Sequence, residues 1–185
     1  MKFAGLGIRT TALLIDTVVM VVAFIIVDMV TGKNYFLSNL IYQPVCALYF
    51  ILLTASSLQG TLGQKALRIK IGDMTGLRIS LSQSALRYLV WSLPILPFIV
   101  YSSLPSYGKI MDKLSTFDAS TDDPHAYFAY YGTPEVQSFL FYNGVLFGFA
   151  SIAGLIWCIM LARHVEKAGP HDRICKQRAF RINKN

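Results

Sequence analysis

An arginine and an aspartate flanking a short run of mostly apolar residues are the pair in this sequence best suited to chemistry in a membrane. Arg9 and Asp16 are seven residues apart, or two helical turns, so they share one helix face about 10 Å apart along the axis. A charge inside a bilayer costs about 2.5–3.5 kcal/mol on insertion scales, so Asp16 needs a reason to be there. A desolvated carboxylate binds a proton and releases it when a cation approaches, which is the chemistry of cation/proton exchange.

Other polar residues could complete such a site. Arg87 opens a later apolar stretch at the same predicted depth as Arg9, and it is a second candidate counter-charge. Three hydroxyls near the end of the second apolar stretch are candidate neutral ligands: Thr54, Ser56 and Ser57. The sequence has no Ser-His-Asp order, no pair of zinc ligands on a helix and no cofactor motif. We therefore predict no enzyme activity, no metal and no cofactor.

The composition shows which elements must position these residues. The chain is 54% hydrophobic and only 15% charged, with a mean hydropathy of +0.49, whereas soluble domains are about 25% charged. Four long apolar stretches predict membrane spans at about 10–30, 40–58, 87–104 and 137–162, each near the roughly 20 residues that a span needs. The expected fold is an all-α membrane protein, a bundle of four transmembrane helices forming a single domain over residues 1–185.

The charges of the chain predict its orientation. Lysine and arginine are concentrated before the first span, between the second and third spans, and in the tail 163–185. The loop 105–136 instead holds five acidic residues and two lysines. By the positive-inside rule both termini and the middle loop are cytoplasmic and the long loop is outside. Membrane orientation thus explains the net charge of +7, and no nucleic-acid partner is predicted.

The middle loop contains two short alternating segments. Apolar and polar residues alternate over 67–71 and again over 77–80, with turn residues between them, which predicts a basic two-stranded hairpin lying against anionic lipids. Residues 60–65 lack the Walker spacing and a preceding strand, so a nucleotide site is not predicted. In the third span, Pro94 and Pro97 predict a break that either is a plain kink or lines a cavity.

Two further stretches suggest contacts with partners. Small residues recur at Gly144 and Gly148, a spacing that permits close helix packing within the chain or between chains. The long outer loop is a candidate docking surface, and its aromatic run at 127–132 could lie on the membrane interface as a short helix. A homo-oligomer or another membrane protein is therefore the expected partner.

These residues resemble the RDD family of small bacterial and archaeal membrane proteins. Arg9 matches the arginine for which the family is named, and Asp16 matches the first of its two aspartates. The segment 60–65 and Arg87 resemble the family's middle part. Asp172, in the tail, is the candidate for the second aspartate. The sequence departs from the family pattern after Asp172, where a Gly-Thr pair and a valine are usual, and its outer loop is long.

The resemblance implies a multi-pass protein of the bacterial cytoplasmic (inner) membrane, in a family for which ligand transport and, for some members, sodium/proton antiport have been proposed. Two functions follow. In the first, the protein transports a small cation or other ligand in exchange for protons through Arg9, Asp16, Arg87 and Asp172. In the second, Asp16 pairs with an arginine to fix the packing, and the chain is a structural or accessory subunit that docks partner proteins. Both interpretations place a polar cluster at the inner end of the bundle.

Overall fold

A computed structural model describes the fold of residues 2–32, 34–116, 131–163 and 170–182. In chain order the helices are α1 (Leu6–Val30), α2 (Tyr35–Ala55), α3 (Leu62–Ala66), α4 (Leu81–Ser92), α5 (Leu96–Ser102), α6 (Pro105–Thr116), α7 (Pro134–Arg163) and α8 (Pro170–Ile174). The strands are β1 (Lys2–Phe3), β2 (Ile69–Asp73) and β3 (Gln177–Arg181).

Three helices, α1, α2 and α7, are long and apolar enough to cross a membrane, and α4 with α5 makes a fourth span if the bent pair is counted as one. Their large apolar side chains point outward: Val18 is 64% exposed and Phe147 71% exposed. Water would disfavour so much exposed hydrocarbon, whereas lipid solvates it. The described residues are therefore mostly helical and hold three to four candidate spans, as expected of a multi-pass membrane protein.

The third span is broken where the prolines predict it. Helix α4 ends at Ser92 and α5 begins at Leu96, and the two axes differ by 83°. Pro94 lies in the break, and Pro97 occupies the first turn of α5. Backbone N–H groups of a first turn have no partner within the helix, so a proline there costs no helical hydrogen bond. The bend is much larger than a plain kink, and it gives the bundle a discontinuous helix.

The predicted hairpin does not form. Its first segment is strand β2, but β2 pairs antiparallel with β3 from the tail, with Ile71 opposite Ala179. Strand β1 pairs with the other edge of β3, giving a three-stranded sheet in the order β1-β3-β2. The second segment, 77–80, is not a strand, and Ser80 instead caps α4 through a capping box with Gln83. Alternation identifies a strand but not its partner, and the all-α expectation missed this sheet.

The sheet supplies the most completely buried apolar core. Apolar side chains from α1, from strands β2 and β3 and from two adjoining loops meet there: Ala4, Ala12, Ile69, Ile71, Ile79 and Ala179. We call this end of the bundle the sheet end. At the opposite end, α6 packs on the start of α2 through the stacked rings of Tyr35 and Tyr107. Helix α6 begins the predicted outer loop, whose acidic run and most of whose aromatic run lie outside the described residues.

Candidate functional site

Asp16 is held by neutral hydrogen-bond donors from α2 and α3. One carboxylate oxygen accepts from the Tyr49 hydroxyl at 2.7 Å and from the Gly63 N–H at 2.8 Å, and the other accepts from the Thr61 hydroxyl at 2.6 Å. The side chain is 2% exposed. A buried carboxylate with three such donors is well satisfied, and here it fastens the start of α3 to the middle of α1.

The local sequence explains why α3 reaches Asp16. Thr61 begins the helix with a capping box, and Gln64 completes it by accepting from the Thr61 N–H. Gly63 lets the two backbones touch. A Cβ at this position would collide with the Ala12 carbonyl oxygen and stand 2.9 Å from the Asp16 carboxyl carbon. The segment 60–63 is thus a docking loop for α1.

Asp172 is the second buried carboxylate, and its partners are cations. Nη1 of Arg9 lies 2.5 Å from one of its oxygens and Nη1 of Arg87 lies 2.5 Å from the other. The Asp172 side chain is fully buried, and the two arginine side chains are 13% and 12% exposed. The short helix α8 therefore connects the start of α1 to the middle of α4 through two ion pairs.

A third arginine and two glutamines surround these ion pairs. Arg178 is buried and donates to the backbone carbonyl of Asp172 at 3.3 Å. The Gln177 side chain accepts from Arg87 and donates to the Gln83 carbonyl. We call Arg9, Arg87, Arg178 and Asp172 the arginine cluster. With three cations and one carboxylate, its net formal charge is +2.

Cys175 lies beside the arginine cluster. Burial raises the pKa of its thiol, an effect that the nearby Arg87 charge opposes and the Asp172 charge reinforces. The thiol is buried as well as protonated at neutral pH, so it behaves as a packing residue. This agrees with the absence, among the described residues, of any group of His, Cys, Asp and Glu able to hold a metal ion.

A cavity of about 330 Å³ extends from the arginine cluster into the bundle. Each of three helices contributes residues at helical spacing to its wall: α1 through Leu6, Arg9 and Leu13, α4 through Ser84, Arg87 and Trp91, and α7 through Ala150, Gly154 and Trp157. Its volume is at the small end of the range of known ligand pockets. The charged side chains of the wall lie at the sheet end, beside the apolar sheet residues Ile69, Ile71 and Ala179, and the wall further along α4 and α7 is mainly aromatic and aliphatic.

A model of the RDD family matches residues 3–176, nearly the whole chain. The chain belongs to the RDD family. This RDD protein is also 37% identical over 70 residues to the Bacillus subtilis (strain 168) protein described as uncharacterized protein YxaI. The match covers 38% of the RDD chain and 46% of that relative, so the chain spans about half of the relative's length. No solved structure matches the chain.

The structure brings together three of the four charged residues predicted for the site of this RDD protein. Arg9, Arg87 and Asp172 meet in the arginine cluster. Asp16 also lines the cavity. The sequence predicted that Asp16 would pair with an arginine, but its carboxylate accepts hydrogen bonds from the neutral donors of Tyr49, Thr61 and Gly63.

The hydroxyls predicted as neutral ligands separate in the structure. Thr54 is buried and lines the cavity. Ser56 caps the end of α2 by bonding the Leu53 carbonyl, and Ser57 is exposed. Neither serine lines the cavity.

Sequence reasoning missed several contributors to the site. Tyr49 is hidden in an apolar stretch where an aromatic residue suggests only packing. Thr61 and Gly63 belong to the segment that resembles the family's middle part, so their motif was visible but its target on α1 was not. Arg178 follows Asp172 in a tail of many basic residues, and nothing in the spacing distinguishes it from its exposed neighbours.

Proposed function

We propose that this protein binds an anionic ligand in the cavity and moves it across the membrane. The charge of the cavity wall carries this proposal. Among the described residues, Arg9 and Arg87 line the cavity and, with Arg178 beside them, contact one acidic residue, Asp172. Including Asp16, which also lines the cavity, leaves three cations against two carboxylates. In a poorly solvated site this excess attracts an anion and repels a cation.

The broken span supports movement of the ligand as well as binding. Pro94 and Ile95, at the break between α4 and α5, line the same cavity as the two arginines. Discontinuous helices that line the substrate site are a recurring feature of secondary transporters. Since the described residues hold only three to four candidate spans, we expect a closed path across the bilayer to need more than one copy. The active form we propose is a homo-oligomer.

Cation/proton exchange through Asp16 is the second candidate, favoured by one observation. Asp16 is nearly inaccessible, lines the cavity and receives three hydrogen bonds, so adding a proton to it would weaken the docking of α3. Such coupling between protonation and helix position is what an exchanger needs. The same three donors also explain Asp16 as a purely structural residue, and for this reason we rank this candidate second.

We further propose that the sheet end is cytoplasmic in a bacterial inner membrane and lies against anionic lipids. Exposed cations surround the sheet there: Lys65, Arg68, Arg173, Lys176 and Arg181. Cytoplasmic leaflets are negatively charged, and each lysine or arginine near the surface contributes about 1 kcal/mol of attraction. Single cysteines at Ser120 and Lys184 in a cysteine-free background should label from opposite sides of the membrane. Labelling of both from one side would refute this orientation.

Charge movement across proteoliposomes on a solid-supported membrane tests the transport proposals together. A pulse of butyl phosphate should move negative charge in the wild-type protein, and Arg87→Gln should abolish the signal. Arg173→Gln, an exposed arginine near the cluster, is the matched control and should retain it. A response to a sodium pulse that Asp16→Asn removes would instead establish the second candidate. No response to either pulse would leave the structural or accessory role as the function.

A further inference from the structure

We infer that the ligand is an anionic amphiphile, with an anionic headgroup at the arginine cluster and a hydrocarbon chain in the apolar part of the cavity. This inference rests on the proposed function and specifies the chemical class of its ligand. It depends on how polar and apolar groups are distributed along the cavity, which is a separate observation from the net charge.

The headgroup end is built from held guanidiniums. Arg9 is fixed by Asp172 and by the Ala4 carbonyl, to which its Nε donates at 2.9 Å. Arg87 is fixed by Asp172 and Gln177. A planar guanidinium in a fixed orientation recognises the oxygens of phosphate and carboxylate groups through paired hydrogen bonds. Among the described residues that line the cavity, Arg9 and Arg87 are the two cations, and the hydroxyl of Thr10 donates to the Leu6 carbonyl of its own helix.

The rest of the cavity is hydrocarbon and aromatic surface. One helical turn beyond Arg87 on α4 is Trp91, followed by Ile95 at the break. Helix α7 contributes Ala150, Gly154 and Trp157 to the lining, at i, i+4 and i+7 on one helix face. The small residues of α7 and the aromatic rings of α4 line the same cavity. Such an apolar lining favours the hydrocarbon chain of a ligand.

Both tryptophans of the chain, Trp91 and Trp157, line the cavity, so intrinsic fluorescence reports on its occupancy directly. The probe is 11-bromoundecyl phosphate, whose bromine quenches tryptophan on contact, added to the full chain in maltoside micelles. We expect saturable quenching at about one probe per protein. Dodecyl phosphate should displace the probe at a concentration about tenfold or more below that needed with butyl phosphate or inorganic phosphate, which bind through the anionic group alone.

Two pairs of variants separate the cavity from the general lipid-facing surface. Arg87→Gln should raise the half-saturation concentration at least tenfold, and the control Arg173→Gln should leave it unchanged. Gly154→Leu fills the apolar part without touching any charge, and its added side chain meets no atom within 4 Å at the Cβ position. It should also raise the half-saturation concentration at least tenfold. Gly148→Leu, on the same helix, equally unobstructed and away from the cavity, should not.

Nanodiscs distinguish the two sources of such an amphiphile. If a bilayer phospholipid occupies the cavity, phosphatidylglycerol nanodiscs should exclude the probe and phosphatidylcholine nanodiscs should admit it. If the ligand reaches the cavity as a free amphiphile, both should admit the probe. Either result supports the inference, because in each case the cavity holds an anionic headgroup and a chain.

Two results would overturn the inference, and they differ in whether the proposed function remains. If butyl phosphate displaces the probe as well as dodecyl phosphate does, the chain contributes nothing, and the anionic-ligand proposal stands without the amphiphile. Quenching that is unsaturable and equal in all four variants shows that the probe lies in the detergent around the apolar surface and not in the cavity. If butyl phosphate then also moves no charge in proteoliposomes, the proposed function falls too.

Discussion

Two buried aspartates at the sheet end of the bundle serve different purposes because their partners differ. Asp16 accepts hydrogen bonds from two hydroxyls and one amide, all neutral. Asp172 receives two guanidiniums directly and has a third behind it. The first arrangement leaves one negative charge among dipoles and fastens α3 to α1. The second leaves a positive excess beside a cavity, which is the arrangement that attracts a ligand.

The comparison also corrects the significance of Asp16's position in the sequence. Helix α1 has 25 residues and is about 37 Å long, whereas a bilayer core is about 30 Å thick. Its first turns are covered by the sheet and α3, so Asp16 lies under folded polypeptide and not in open lipid. A carboxylate inside a predicted span is therefore not evidence of transport by itself. The net charge of the groups around it decides.

The close contact between α3 and α1 at Gly63 is the most easily disrupted of the contacts around Asp16. Gly63→Ala places a methyl group against the Ala12 carbonyl and the Asp16 carboxylate and disrupts the Gly63 N–H bond. We expect a loss of about 3 kcal/mol or more in the free energy of unfolding, measured by denaturant titration in micelles. Gly148→Ala is the control, because its Cβ meets nothing within 4 Å. Equal stability of the two variants would refute the tight docking of α3.

The two aspartates should differ when each loses its charge. Asp172→Asn leaves Arg9 and Arg87 without their counter-charge and should cost about 3–5 kcal/mol in the free energy of unfolding. Asp16→Asn keeps an acceptor for the neutral donors and should cost about 1.5–3 kcal/mol. The same denaturant titration measures both. If Asp16→Asn proves the more damaging change, the assignment of roles is reversed.

A milder substitution removes one hydrogen bond to Asp16 without changing the Asp16 side chain itself. Tyr49→Phe removes a hydroxyl that donates to Asp16 at 2.7 Å and accepts from the Leu62 N–H at 3.2 Å. The expected loss is about 1.5 kcal/mol in the free energy of unfolding. In a double-mutant cycle with Asp16→Asn the two losses should not be additive, since they share one interaction. Full additivity would show that Tyr49 does not act through Asp16.

The smallest expected effect concerns Asp73, at the exposed end of β2. A hydrogen bond from the Thr75 side chain, with backbone donors at Leu77 and Thr75, holds the pKa of this carboxyl below its usual value. A lowered folded-state pKa stabilises the turn above about pH 4 and loses that effect as the pH falls through the folded value. The Leu77 amide resonance should therefore shift in acid, and should not in Asp73→Asn. A pH-independent wild-type resonance would contradict this turn.

Much of the fold could be predicted from the sequence, because membrane spans depend on composition. The break in the third span followed from Pro94 and Pro97, and the convergence of Arg9, Arg87 and Asp172 at one end followed from the order of charges and apolar stretches. The pairing of β2 with β3 did not, since the strands are more than 100 residues apart and alternation carries no partner information. The donors to Asp16 could not be predicted from the sequence either, because tyrosine, threonine and glycine occur throughout the chain.

The central claim is that the arginine cluster binds the ligand while the Asp16 contacts hold the fold. It is tested most directly by measuring two quantities on two variants: the free energy of unfolding, and the half-saturation concentration for 11-bromoundecyl phosphate. Tyr49→Phe should lower the stability and leave the half-saturation concentration unchanged. Arg87→Gln should raise that concentration at least tenfold. If Tyr49→Phe weakens binding as much as Arg87→Gln does, the two regions are not separate and the account is wrong.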